Sequence, residues 1–305
     1  MREPPAIGFL PDGRRLHLSD GPIDLIVEAF GERAEIEAAY RVAARRFVTV
    51  LDELCEELPL LRTEAKAGGR MPEGDVARRM AEAVAPFAKR AFITPMAAVA
   101  GAVAEEILET MTDAASLSRA YVNDGGDIAI HLSPGESFRI GMVERPDRPS
   151  LFSTAQIVAG DPVRGIATSG WRGRSFSLGI ADAVTALADR AAMADAAATM
   201  IANAVDLPGH PAITRLAARE IAPDNDLGER LVTRAVGELA ADEIEIAIES
   251  GISAAEEIIA RGLLRAAAIC LQGETRIVGA REVNVRAFAH DGAEKISRRL
   301  EIARS

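Results

Sequence analysis

Three short segments of this chain collect the residue types that handle phosphate oxygens and hard metal ions. In Asn123-Asp124-Gly125-Gly126-Asp127 two adjacent glycines would let main-chain N–H groups approach a ligand without Cβ obstruction, next to Asn123 and Asp127. The same residues also make an ordinary β-turn, because Asn, Asp and Gly are the usual turn formers. In Arg164-Gly165-Ile166-Ala167-Thr168-Ser169-Gly170-Trp171-Arg172-Gly173-Arg174 the hydroxyls of Thr168 and Ser169 lie among glycines, Gly170 included, and arginines. Arg172 and Arg174 offer forked donors suited to phosphate, while the competing reading is a solvated loop whose arginines pair with nearby carboxylates. In Ala194-Asp195-Ala196-Ala197-Ala198-Thr199 a carboxylate and a hydroxyl stand four residues apart, on one face of a helix. Both are oxygen donors of the kind magnesium takes; the alternative is that Asp195 complements a helix start and Thr199 packs locally.

No catalytic group is assigned. His17, His131, His210 and His290 have no ligand spacing, and no GxSxG nucleophile turn is present. Cys55 is expected on the apolar side of a helix and Cys270 in an apolar run, both as inert thiols.

Taken in order, VNDGGD (122–127), ATSG (167–170) and ADAAAT (194–199) resemble the ApbE-like flavin transferases, over roughly residues 94–205. The resemblance implies an α+β fold, a two-layer domain with a mostly antiparallel sheet and packed helices. It also implies FAD as the bound flavin and Mg2+ as cofactor. Asp195 and Thr199 would be the metal ligands, and Asn123, Gly125, Gly126, Asp127, Thr168, Ser169, Gly170, Arg172 and Arg174 would line the cofactor cleft. Two departures stand beside it. Ala100 occupies the place of the transferase lysine, and a segment of the HxxDPxTG kind is missing between Gly170 and Ala194. These departures resemble an uncharacterised branch of the superfamily. Two functions follow as expectations: Mg-dependent cleavage or transfer at the FAD diphosphate, or a non-transferase role in the same cleft, as a reductase or accessory subunit in ring-compound metabolism or as a small-molecule-binding module.

The elements that must position these groups are legible in the apolar spacing. Strands are expected around the Pro11-Asp12-Gly13 turn and at residues 23–30, then a long amphipathic helix over 32–58 and a second over 73–89. A helix rich in small residues should start at Thr94-Pro95, followed by a strand meander over 118–143, a strand at 181–187 and an alanine-rich helix over 190–205. Farther on, a helix over 238–261 with a break at Gly251 is expected, and residues 263–271 suit either a buried strand or a helix. No internal repeat or Pro/Gly/Ser linker interrupts the chain, so a single domain over 1–305 is expected.

Composition narrows the partners. With 49% apolar residues, 305 residues suffice for a substantial core. The balance of 35 basic against 46 acidic residues, a formal charge of −11, repels nucleic acid and anionic membrane. An anionic small-molecule ligand would have to be met by a local cluster. Two widely separated cysteines, an N-terminus without a secretory apolar run and the lack of a membrane span lead to a cytoplasmic expectation. A homodimer is expected only as the commonest assembly of such proteins.

Overall fold

The computed structural model describes residues 4–143, 151–279 and 284–287; His290 lies outside them. The chain opens as an antiparallel meander of β1 (Ala6–Phe9), β2 (Leu16–Asp20) and β3 (Ile23–Phe30). In β3 the buried residues Ile23, Leu25, Val27 and Ala29 alternate toward one face, the pattern of a strand packed on helices. The expected first helix is α1 (Arg33–Glu56), whose Ala39, Tyr40, Ala43, Phe47, Val50 and Leu54 form the buried stripe. Cys55 falls outside that stripe and is exposed, contrary to the expectation, whereas Cys270 is buried. After the short α2 (Leu58–Leu61), α3 (Asp75–Val84) buries Val76, Met80 and Ala83, with Phe87 buried just beyond it.

Thr94-Pro95 starts a 3-10 turn, Pro95–Ala98, that runs into α4 (Val99–Ala114). The meander then continues with β4 (Arg119–Asp124), β5 (Asp127–Leu132), β6 (Ser137–Val143) and β7 (Leu151–Val158). The segment expected to be a cationic loop is instead half strand. Gly165–Ser169 forms β8, inserted between β5 and β9 (Ala183–Ala188), and only the residues from Gly170 onward are loop. Its composition of small residues hid a central strand. Gly165 has no room for a side chain, because a Cβ there would collide with the backbone of Arg190 and Ala191 at the start of α5 (Ala191–Ala204).

The remaining elements are β10 (Ile213–Ala217), α6 (Ala218–Ile221), β11 (Leu231–Val236), α7 (Ala241–Ala260), β12 (Ala266–Leu271), β13 (Glu274–Val278) and β14 (Asn284–Ala287). Helix α7 passes through Gly251 without a break: that glycine is a contact point, where a Cβ would strike the side chain of Val205. The run at 263–271 resolves into strand β12, buried along its whole length.

Among the described residues nine strands form one antiparallel sheet in the order β1-β2-β3-β4-β5-β8-β9-β12-β13, so residues from position 6 to 278 share it. Helices α1, α3, α4, α5 and α7 pack with one face of this sheet in the larger core. This is the expected α+β arrangement of helices on a mostly antiparallel sheet. A feature not expected is a three-stranded sheet, β14-β7-β6, which places Ala155 and Ile157 against Ile166, Leu187 and Cys270 on the opposite face. Strands β9 and β12, AVTALA and AAAICL, are therefore covered on both sides, which is why they read as unbroken apolar runs. No helix among the described residues is long and apolar enough to cross a membrane.

Candidate functional site

The three chemistry-bearing segments meet at one end of the sheet, on its helical face. The turn between β4 and β5 is closed by the Asn123 Oδ1, which accepts the Gly126 N–H at 2.8 Å. Gly125 and Gly126 have φ of 62° and 119°, the left-handed region where a side chain is strained. Asp124 and Asp127 are paired across this turn. Strand alternation puts both on the face of Val122 and Ala129, which belong to the helix-side core. The Asp127 Oδ1 accepts the Thr168 N–H at 3.0 Å, joining the GGD turn to the ATSG strand end.

Within ATSG the two hydroxyls separate. The Thr168 hydroxyl is hydrogen-bonded to that of Thr185 at 2.9 Å. Ser169 shares the face of Ala167, the side on which Asp127 lies. Gly170 is required by close packing, since a Cβ would strike the carbonyl oxygens of Ala181 and Asp182.

The arginines also divide. Arg164 donates to the carbonyls of Ala159, Asp161 and Val163 and so fixes the loop before β8. Arg172 donates to Asp182 at 2.5 Å and stacks 4.4 Å from the Trp171 ring. Asp182 also accepts the Trp171 Nε1–H at 3.0 Å and the Gln272 N–H at 2.6 Å. Arg172 and Trp171 thus have a structural occupation, tying down the loop between β8 and β9. Arg174 lies across Gly125, with its Nη2 4.0 Å from the Asp124 Oδ1.

Helices α4 and α5 cross so closely that a Cβ on Gly101 would overlap the Ala191 carbonyl. At this crossing they exchange caps. The Asp195 Oδ2 accepts the Gly101 N–H at 3.1 Å, in the first turn of α4. Glu105 of α4 accepts the Ala192 N–H at 3.0 Å in the first turn of α5, and also takes Arg190 at 3.0 Å. Each carboxylate satisfies main-chain donors that its partner helix leaves open. Asp195 therefore complements a helix start, but that of α4 and not of its own helix. Thr199 follows one turn later on α5.

The electrostatics single out Asp124, Asp127 and Asp195. Burial is the main cause pushing the Asp124 carboxyl up to about 7, opposed by the Asp24 N–H and Arg174. Burial likewise raises Asp127 to about 7, with the Asp124 charge adding to it and the Thr168 N–H and Arg174 opposing. Asp195 is raised well above the usual carboxylate range by burial and by the charges of Asp127 and Asp124, against the N–H groups of Gly101 and Ala100. Mutual influence of this kind means the three carboxylates titrate as a set. Asp124, Glu105 and the Gly101 N–H were not foreseen as site groups. Asp124 was visible inside the turn motif, but only the alternation of β4 reveals which face it takes.

A cation would find hard anionic oxygens here. Among the described residues, however, no three His, Cys, Asp or Glu side chains are close enough together to hold an ion by themselves. The donor chemistry fits magnesium only if the Thr199 hydroxyl, main-chain carbonyls or ligand oxygens complete the shell. A groove of about 340 Å3 beside α3 and α4 is lined by Arg78, Arg79, Glu106, Glu109 and Arg190, away from this cluster. Its charges are largely engaged in pairs such as Arg79 with Glu106 and Arg190 with Glu105, which makes it the poorer candidate. The described histidines are likewise occupied. His17 pairs with Asp24 at 2.5 Å, His131 with the Leu117 carbonyl at 3.2 Å, and His210 with Glu243 at 2.8 Å.

A sequence profile described as AbpE bacteria matches residues 7–277, nearly the whole of the described chain. The chain belongs to this family. Membership of AbpE bacteria bears out the ApbE-like expectation drawn from the three motifs. Family relatives are similar over shorter spans. A UPF0280 protein of Methanopyrus kandleri is 36% identical over 183 residues, 59% of this chain and 69% of that one. A UPF0280 protein of Archaeoglobus fulgidus is 37% identical over 132 residues, 43% and 51% of the two chains. The chain thus spans about two thirds of the first and half of the second. Among solved structures, the flavin transferase ApbE from Vibrio cholerae has a TM-score of 0.36 and 12% identity, covering 90% of this chain and 96% of that one. The apo flavinyl transferase ApbE from Pseudomonas stutzeri has a TM-score of 0.35 and 10% identity, over 95% and 97%. Likeness at that level carries no argument about the site.

Proposed function

We propose that this member of AbpE bacteria binds a flavin nucleotide, FAD in the first instance, where the Gly125-Gly126 turn, the end of β8 and the crossing of α4 and α5 come together. The observation that carries the reading is the arrival of Asp127, Ser169 and Asp195, from three segments far apart in sequence, on one face of one sheet end. Asp195 and Thr199 would hold Mg2+ together with ligand oxygens. When bound, that ion supplies positive charge for the diphosphate. The chain's own groups do the rest: Gly126 leaves its surface open for a ligand, Asp127 holds the strand end through Thr168, and Arg174 offers a forked donor at the rim.

Turnover by FMN transfer is a separate matter, and the local chemistry favours a non-transferase member. Ala100, in the first turn of α4 beside the Asp195 carboxylate, has no amine to offer. The connection from Gly170 to Asp182 is bound into the fold by Trp171, Arg172 and Asp182 and contains no histidine. Neither position therefore supplies an amine or an imidazole as base for an acceptor hydroxyl. Purified protein incubated with FAD and Mg2+, then desalted, tests the binding reading: a retained blue-absorbing flavin band supports it, and a colourless protein argues for the alternative of a different small molecule in the same cleft.

A further inference from the structure

We infer that Arg174 sets the ligand class of this site, making it a receptor for a divalent cation that arrives with a phosphate-bearing nucleotide and a poor receptor for the bare cation. The inference rests on the cation and nucleotide reading above and deepens it. Arg164 and Arg172 are consumed by main-chain carbonyls and by Asp182, so Arg174 is the guanidinium of this segment left at the carboxylates. It lies on Gly125 so closely that any Cβ there would overlap its Nη2, and it stands 4.0 Å from Asp124. Its side chain is 66% exposed and flanked by the exposed Gly173 and Ser175, so it can turn outward without unpacking the core.

Two consequences follow from charge alone. A divalent ion entering at Asp195 without an anion meets a resident positive charge at the neighbouring Asp124, and that repulsion weakens binding. A diphosphate changes the balance, because it gives the guanidinium a bidentate partner and draws it off Asp124, while its oxygens complete the shell of the ion at Asp195 and Thr199. Arg174 therefore penalises the first ligand and favours the second.

The test uses the full chain and two probes: Mn2+ alone, counted by the electron paramagnetic resonance of the free ion, and Mg2+ with ADP, by calorimetry. Arg174→Gln should bind Mn2+ alone about fivefold more tightly and Mg2+-ADP about fivefold more weakly than wild type, the scale of one partly exposed charge. Arg174→Lys should keep the suppression of Mn2+ binding. Gly125→Ala, which displaces the guanidinium, should reproduce the tighter Mn2+ binding. Affinities that move in the same direction in Arg174→Gln, or that both stay unchanged while wild type binds, overturn the inference and leave the nucleotide reading standing. Failure of the wild-type protein to bind either probe overturns the nucleotide reading itself, and the inference with it.

Discussion

The Asp195 carboxylate on α5 accepts the Gly101 N–H on α4 at 3.1 Å, across 94 residues of sequence. Because Glu105 caps α5 in return, neither helix start can shift without disturbing the other. The carboxylate proposed to meet the ligand is thus also the group that locks the helix crossing, which couples ligand binding to the geometry of the core.

That coupling is measurable by breaking the return contact. Glu105 is buried and holds both the Ala192 N–H and Arg190. Glu105→Ala should cost about 3 kcal/mol, since it strands partly buried donors and a guanidinium. Glu105→Gln should cost less, because the amide oxygen can still cap α5. Denaturant unfolding of both variants gives the comparison; equal stability of Glu105→Ala and wild type would mean that the exchange of caps is not made.

Close packing makes a second point of fragility. Gly101→Ala places a methyl against the Ala191 carbonyl, a backbone contact that cannot rotate away. It should destabilise by about 1–3 kcal/mol and displace α5 from β8. Gly160→Ala, where the added methyl meets open space, is the control. Similar thermal midpoints for the two variants would contradict the close crossing.

Stability should respond to pH in a direction set by the raised carboxyls. Asp124 and Asp127 bind protons more tightly folded than unfolded, so their contribution is fully present below about pH 4 and is lost as pH rises through about 7. The loss is on the order of a few kcal/mol. Glu53 and Glu243, lowered in the folded state, work oppositely and lose their contribution in acid; burial opposes the lowering at Glu53, where Arg46 prevails, while the Ala240 N–H leads at Glu243. The thermal midpoint should therefore peak in mildly acidic solution and decline toward neutrality, and Asp124→Asn should flatten the declining arm. A midpoint that rises steadily to pH 8 in the wild type would contradict this electrostatic assignment.

The reading of a non-transferase predicts no covalent flavin on an acceptor. When the protein is incubated with FAD, Mg2+ and an acceptor domain of a flavinylated protein, the acceptor's mass should remain unchanged. A stoichiometric gain of FMN would show that some other residue, Asp182 or Asp189 for example, replaces the missing base. Asp182 is already engaged by Trp171 and Arg172, and Asp189 by Arg265, which is why none is expected.

Much of this arrangement was readable from the chain. The stripe of α1, the meander from β4 to β6 and the alanine-rich α5 follow from periodicity that each element satisfies locally. Strand β8 did not, because Gly165 and Ala167 are small for their contact with α5 and leave only Ile166 and Thr168 to signal a strand, between the glycines of a segment that otherwise looks like a loop. Gly251 misled in the same way, being small for the sake of Val205 and not to end a helix. At the site, the spacing of Asp195 and Thr199 was evident, but its other half was not. The Gly101 N–H, Glu105 and the facing of Asp124 depend on which elements become neighbours, and that is written in tertiary packing alone. The same holds for Arg172, whose partner Asp182 is ten residues away, within the strand expected over 181–187 but in fact just before β9.

The central claim is that Asp195 supports cation-dependent binding of a flavin nucleotide, and calorimetric titration of FAD into wild type and Asp195→Asn tests it most directly. Asparagine can still accept the Gly101 N–H, so α4 stays capped while the anion is removed. The expected result is FAD binding to wild type that requires Mg2+, and loss of the Mg2+ dependence with weaker binding in the variant at no loss of thermal stability. Equal FAD affinity in the two proteins, with and without Mg2+, would contradict the claim.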